Sequence, residues 1–577
     1  MKNIKYFVFL GFVSLVGCKK IIELVPLSNL TTDSYYSNAD QISTALTGCY
    51  NGLQKPMLDE WSLTELRSDN TVMGSGTGTT SSPNRDLSDL DMFFPSTAHS
   101  GVYNYWLNTY FNIRNINLVL NSLSANYNST SGAISYDAIN ITISDSTRKV
   151  LASEASFLRA YHYFNLVRLY GGVFLVDKPI TPVAAKLINR SSVADIYKLI
   201  IADLQNTITN GGKEKYASIS AANLGRANSW CAKALLAKVY LNLNRKADAI
   251  VLLQDVIANS GYSLQTSYAS VFSINNEMNS EMLFAVRYRA GGLGLGSPFP
   301  NMFAPLSSGL AVVNGSGSGL NYPAVELNTT YFTTTSVGQV KKDSVRVVLS
   351  AVNNKIFPGM FVSGTQLAAG TTVASINGNI LTLSLAPTAS SATAALTVGD
   401  ARRPLSIGLY GNKMYALKMI SNPAIAYDAE NDWPVIRFAD VLLMLAEAQG
   451  NSGSSLALIN QTRARGGLPA LTITNITTVA QFENALSTER RLEFAFENQR
   501  WFDLTRYNTT MTTITVEQRM KDHFASMYTA YYGTYPVPRL TLLDLQTNAN
   551  TNRMLLPIPQ REIDTNTGIV IAQNPGY

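Results

Sequence analysis

A mainly helical chain, made of tetratricopeptide-like helical hairpins with a loop-rich ligand face and a small inserted β module, is the fold class the sequence predicts. Three observations predict it. Apolar residues recur at three- and four-residue spacing over long stretches, two glycine- and serine-rich segments interrupt those stretches, and one region alternates Thr, Ser and Val in short runs.

The first element is a leader. Met1 to Lys5 carries positive charge, Tyr6 to Val16 is a short apolar run, and Leu15-Val16-Gly17-Cys18 places a small residue before a cysteine. The run is well short of the roughly 20 residues that span a bilayer, and Lys19-Lys20 follow at once. The expected organisation is a lipoprotein signal peptide at 1–17, a lipid anchor on Cys18, and one helical domain over 18–577.

Within that domain, amphipathic helices are expected over 40–53 and 108–123. Between them, residues 69–100 hold Gly-Ser-Gly-Thr-Gly at 74–78, Ser81-Ser82-Pro83 and the pair Phe93-Phe94, a long irregular excursion of the kind that carries binding. A helix over 151–170 stops at Gly171-Gly172, and another begins after Ser192, whose hydroxyl caps it with Asp195 three residues on. The spacing Leu236-Ala237, Tyr240, Ala249, Leu253 matches a tetratricopeptide-type hairpin, where small residues admit close helix contact. Similar hairpins fit 151–206 and 437–465, irregularly separated, so one packed unit is expected and not an open array. A second loop region spans about 290–335, with Gly315-Ser316-Gly317-Ser318-Gly319. From 340 to 399 the alternation Thr371 to Ile376, the Asn377-Gly378 turn and Ile380 to Leu383 predict an inserted β module.

Composition excludes some functions. The net charge of +6 includes Lys2 and Lys5 of the leader, so about +4 remains on a large mature body, no footprint for nucleic acid. Aromatics make up 10% of the chain, and an aromatic-rich, charge-poor surface suits sugars or peptides better than phosphates. Cys18, Cys49 and Cys231 are too far apart for a zinc site or a redox pair; the latter two sit in apolar helical contexts that favour buried free thiols, although a disulfide stays open. The histidines, His99, His162 and His523, lack partners at metal-ligand spacing, and the common nucleotide, hydrolase and metalloprotease motifs are absent. No catalytic residue, metal or cofactor is therefore expected. A glycosidase-type carboxylate pair would have to come from Asp59, Glu60, Glu65, Asp69, Asp86, Asp89 and Asp91, which read as ordinary loop acids. The motif from Glu489 to Leu504 interleaves Glu, Arg and aromatics; the aromatics are expected to bury one face while Arg and Glu pair at its edge.

Taken in order, the segments resemble the SusD/RagB family. They are the small-residue–Cys18 ending, Leu66-Arg67-Ser68-Asp69-Asn70, Ala-Ser-Phe-Leu-Arg-Ala-Tyr at 155–161 with Arg-Leu-Tyr-Gly-Gly-Val at 168–173, and Ala-Asn-Ser-Trp-Cys-Ala-Lys-Ala-Leu-Leu-Ala at 227–237. Next come residues 435–443, Asn-Gln-Thr-Arg-Ala-Arg-Gly-Gly-Leu-Pro at 460–469, the Glu489 motif, and the ending at 557–560 and 573–577. The resemblance implies a SusD-like fold and a surface lipoprotein of the outer membrane. It also implies no catalysis, a nutrient ligand that is typically a glycan, and a SusC-like TonB-dependent transporter as partner. Peptide uptake is the alternative ligand class; a glycan hydrolase and a protein-binding scaffold are the rival functions. The 340–399 module departs from the family pattern just before Asp400-Ala401-Arg402-Arg403, which resembles its Asp-x-Arg element. Acids after the anchor cysteine are sparse, so outward display rests on the resemblance alone. Trp61, Asp69, Asn70, Phe93, Phe94 and Tyr322, aromatics with amide and acid neighbours in the loop regions, are the candidate ligand contacts; Trp106 and Trp230 are assigned to the core.

Overall fold

The computed structural model describes residues 36–74, 84–534, 540–566 and 568–577; Cys18 and the leader lie outside the described residues. The longer helices, numbered in chain order, are α1 Ala39–Asn51, α2 Gln54–Thr64, α3 Ser100–Ser122, α4 Asp145–Tyr170, α5 Val193–Asn210, α6 Ser229–Asn242 and α7 Lys246–Asn259. They continue with α8 Phe438–Gln449, α9 Gly453–Arg465, α10 Val479–Phe494, α11 Arg500–Thr510 and α12 Val516–Met527.

Local chemistry sets their ends. Side chains of Ser144, Ser192, Asn228, Ser452 and Thr478 accept first-turn N–H groups, so α4 starts six residues before the 151 expected from periodicity alone. Gly171 and Gly450, at φ 72° and 70°, close α4 and α8 in backbone that favours glycine. The pairs α4–α5, α6–α7 and α8–α9 pack as hairpins, the first stapled by the fully buried bidentate pair Arg159–Asp203 at 2.8 Å. Small residues such as Ala232, Ala234, Ala237 and Ala249 let the helices close on one large shared core.

Of the expected excursion over 69–100, residues 75–83 lie outside the described residues, and the described parts, 69–74 and 84–100, are ordered against the body. Strand β1 (Thr71–Met73) and a short helix, Asn84–Asp91, fold back on the body, and Met73 N–H donates to Asp91 at 3.0 Å. Further along the chain, β2 (Met282–Val286) lies between α7 and β3 (Asn321–Pro323); β3 pairs antiparallel with β1 across 250 residues of chain.

The strands β4 (Thr333–Val340), β5 (Arg346–Leu349), β6 (Phe361–Ser363), β7 (Val373–Asn377), β8 (Ile380–Leu383) and β9 (Ser391–Gly399) make one sheet in the order β6-β9-β4-β5-β8-β7. The first strand begins ahead of the expected 340. The two ends of the sheet meet: Val362 N–H donates to Thr371 O at 2.9 Å, and Val373 N–H to Met360 O at 2.8 Å. The module is thus a small closed barrel with no free edge. Its interior is an aliphatic cluster of its own, with Val347, Leu349, Met360, Leu381, Leu396 and Val398 nearly solvent-free. Thr333 and Gly399 are paired, so the chain enters and leaves at adjacent points. The barrel touches the body at Gly359 and Gly467, where a Cβ on Gly467 would lie 2.3 Å from Met360 N.

The charged motif of α10 is corrected in position: its pairs lie inside the core and not at an edge. Arg437, at the end of β10 (Trp433–Arg437), bridges Glu281 at 2.6 Å, Glu493 at 3.0 Å and Glu497 at 2.8 Å. Arg402 binds Asp400 at 2.8 Å, Glu489 at 2.6 Å and Glu493 at 3.2 Å. Lys418, Arg463 and Arg465 complete the set, so five acids face five bases. Mutual neutralisation with hydrogen bonding is what allows such charges to leave water.

Candidate ligand face

The loops over 290–322 and 420–430 form one surface, organised by a single buried amide. Asn301, on the short helix Phe299–Phe303, donates to Asn314 O at 2.8 Å and Ser316 O at 3.3 Å, and accepts Tyr427 N–H at 2.7 Å. Asn314 ties the two loops again, its N–H donating to Asn422 Oδ1 at 2.6 Å and its amide to Ala424 O at 2.7 Å. Asp428 accepts Gly291 N–H at 2.8 Å and Gly292 N–H at 2.7 Å, and those backbone bonds hold its carboxyl below the usual range. Ser297 and Ala429 exchange both backbone bonds.

This scaffold fixes an exposed rim. Tyr427 is held at φ 63°, unusual for a tyrosine, with the residue 44% exposed and its hydroxyl 3.1 Å from Ser318 Oγ. Ile425, two residues before it, and Leu310 on the partner loop are also exposed, at 51% and 76%. On the adjoining edge Tyr322 is half-buried on β3, where Gly74 approaches so closely that a Cβ would lie 2.8 Å from the Tyr322 ring. Preordered backbone, aromatic faces and nearby hydroxyl and carbonyl groups equip the rim for binding.

The expected contact residues fall in two groups. Phe94 is half-buried against the core and Tyr322 lies at the rim. The other four are corrected to core positions: Trp61 lies on the buried face of α2, and Asp69, Asn70 and Phe93 belong to stretches that fold inward. Trp61 is 2% exposed, edge-on to Phe303 at 5.2 Å, with its indole N–H donating to Leu58 O. Phe93 is enclosed between Trp501 and Phe524, beside the Arg67 guanidinium. Asp69 takes Arg500 at 2.7 and 3.0 Å and Arg519 at 2.6 Å; burial alone would raise its carboxyl, but Arg491, Arg500 and Arg519 hold it well below the usual range. Asn70 donates to Glu65 at 2.9 Å and accepts from Arg491 at 3.0 Å. Tyr427, Leu310 and Asn301 were missed; the available signal was an aromatic in a short loop bounded by Asn422-Pro423 and Asp428.

The candidate acids are mostly sealed. Burial pushes Glu60 and Glu65 up to about 7 and Asp91 up to about 6, each against the lowering effect of its hydrogen bonds. All three are within the core, where no glycosidic bond reaches them. The histidines are structural: His99 caps α3, His162 bonds Asn112 at 2.8 Å and is pushed down to about 3 by burial, and His523 bonds Tyr532 at 3.1 Å. Cys49 and Cys231 are both free and buried, and burial pushes each thiol up to about 12. Among the described residues no acid, His or Cys cluster is arranged for a metal, and no helix is long and apolar enough to cross a membrane. A cavity of about 540 Å³ lies between α3, residues 174–188 and residues 562–566; its walls are mainly aliphatic and aromatic, with Arg114, Lys178, Lys186 and Glu562 as the charged groups.

Two family models match the chain: one described as "Starch-binding associating with outer membrane" over residues 28–241, and one described as "SusD family" over 384–577. SusD-like protein P25 of Formosa agariphila is 24% identical, the alignment covering 95% of this chain and 97% of that one. A SusD-like protein of Bacteroides ovatus is 22% identical over 74% of each. Among solved structures, a laminarin binding SusD-like protein superposes with TM-score 0.63 at 22% identity, over 94% of this chain and 100% of its own. Surface glycan-binding protein A from Bacteroides thetaiotaomicron, in complex with laminarihexaose, superposes with TM-score 0.62 at 17% identity, over 93% and 99%. These likenesses establish the fold.

Proposed function

Because the chain belongs to the SusD family, we propose that it is a surface lipoprotein that binds an extracellular glycan, oligo- or polysaccharide, and passes it unaltered to a SusC-like TonB-dependent transporter. Cys18 carries the lipid that holds it to the outer membrane, facing the cell exterior. The observation that carries the reading is the rim around Tyr427: an exposed aromatic fixed by a buried amide, beside hydroxyl and carbonyl groups, which is how a protein engages the apolar face and the hydroxyls of a pyranose together. Relatives of the same fold whose names refer to laminarin and glycans support a saccharide over a peptide. Tyr322 and Phe94 remain candidate contacts beside Tyr427.

Affinity electrophoresis of the mature protein through gels containing different polysaccharides tests this. Retention on at least one is expected, weakened about tenfold by Tyr427→Ala, with no new reducing ends. Retention by peptides alone would move the ligand to that class, and release of reducing ends would assign hydrolysis. Co-purification with a barrel transporter from outer membranes tests delivery.

A further inference from the structure

A second concavity, about 430 Å³ in volume, opens between the middle of α3, the α1–α2 turn and the 288–298 loop. On α3, Asn108, Phe111 and Asn115 stand at i, i+3 and i+7 and so share one face. Phe111 is 56% exposed, while Asn108 and Asn115 are half-buried and their side-chain amides find no hydrogen-bond partner among the described residues. Asn51 and Lys55 offer polar groups from the facing turn, and no carboxylate is found among the described residues that line the cleft.

The walls are fixed in place. Gln54 donates to Arg287 O at 2.8 Å and Leu295 O at 3.2 Å, which clamps the α2 start to the 288–298 loop. At the floor Asn112 donates to Cys49 O at 3.0 Å, and Gly52 passes so near that a Cβ would lie 2.1 Å from the Asn112 amide. A platform ring, uncommitted amides on one face and a preset width make up the chemistry of an uncharged, hydroxyl-rich ligand. The volume lies within the range of ligand sites.

We propose that this cleft is a second saccharide-binding site, with Phe111 as the stacking platform and Asn108 and Asn115 bonding hydroxyls of a neutral sugar unit. It rests on the glycan-binding reading above but uses none of the residues of the Tyr427 rim. The polar side chains of the lining are mainly amides, Asn51, Gln54, Asn108 and Asn115, which suits a neutral sugar unit, and Lys55 is the sole cation among the described lining residues.

The test is calorimetry of the full mature chain against hexasaccharides of β-1,3-glucan, α-1,4-glucan, β-1,4-xylan and β-1,4-mannan. Phe111→Ala, Phe111→Trp and Tyr427→Ala are compared with the parent protein. Phe111 is exposed, so both of its variants are expected to melt as the parent does. The expected result is that Phe111→Ala weakens at least one hexasaccharide about tenfold while Phe111→Trp preserves it. If Phe111→Ala binds every saccharide as the parent does while Tyr427→Ala does not, the cleft is refuted and glycan binding at the rim stands. If the parent binds no saccharide, both readings fall.

Discussion

The α10 core and the inserted barrel fill their interiors in opposite ways. Around α10, five acids and five bases are withdrawn from water and satisfy one another. In the barrel, the interior is aliphatic throughout. The first arrangement gains little net energy over an apolar core, but it punishes the loss of any one partner, since the charges left behind stay buried. The second is additive and local. The contrast teaches that the body is specified by contacts between distant segments, whereas the barrel is specified by itself.

The sharpest break of the comparison is Arg437→Met. It leaves Glu281, Glu493 and Glu497 short of a cation, and we expect about 3–5 kcal/mol lost in urea denaturation of the whole protein. In the barrel, Leu381→Ala removes a fully buried side chain at a cost of about 2–4 kcal/mol. Hydrogen exchange should accelerate over 333–399 and leave α8 to α10 protected. If protection in α10 falls in parallel, the barrel is not independent.

Acidity sharpens the same contrast within the body. Glu60 and Glu65 are raised by burial, so the folded state binds protons that the unfolded state releases between about pH 4.5 and 7. Their effect is a gain of stability as pH falls through that window, on the order of 3 kcal/mol for each group. Glu326 and Glu493 go the other way: burial would raise them, but their partners (His523, Arg491 and Arg519 for Glu326; Arg465, Arg437 and Arg402 for Glu493) hold each at about 2. Their contribution is present above about 4.5 and lost below it. Urea midpoints against pH should therefore peak near pH 5, and Glu60→Gln with Glu65→Gln should flatten the neutral side alone. The smallest effect is expected from excising 333–399 and joining Phe332 to Asp400 through a short linker: below about 1 kcal/mol on the body, because the ends already adjoin.

Much of this architecture was legible in the sequence. Periodicity placed the hairpins, and Asn377-Gly378 marked the β7–β8 turn, where Gly378 sits at φ 58°. Closure of the barrel was not, since the pairing of residues 360–362 with 371–373 leaves no local pattern. The depth of the α10 charges was also hidden. Transfer cost argues for an edge position, and only the folding together of Glu281, Asp400 and Arg437 removes it. Phe93 misled because it follows a glycine-rich segment whose described neighbours turn inward, and Trp61 because its helix buries the face that carries it, whereas Tyr427 sits in a loop too short to attract notice.

The Asp69 cluster has a consequence for how the polypeptide comes into being. Its carboxylate waits for Arg491, Arg500 and Arg519, and the last residues anchor earlier ones, Asn574 donating to Tyr170 O at 2.9 Å and Arg190 to Ala572 O at 2.6 Å. Synthesis starts from the other end, so Asp69 lacks its counter-charges until Arg500 and Arg519, 431 and 450 positions later, are in place. A product that stops short of Arg491 leaves Asp69 without a cation and stays open to proteolysis.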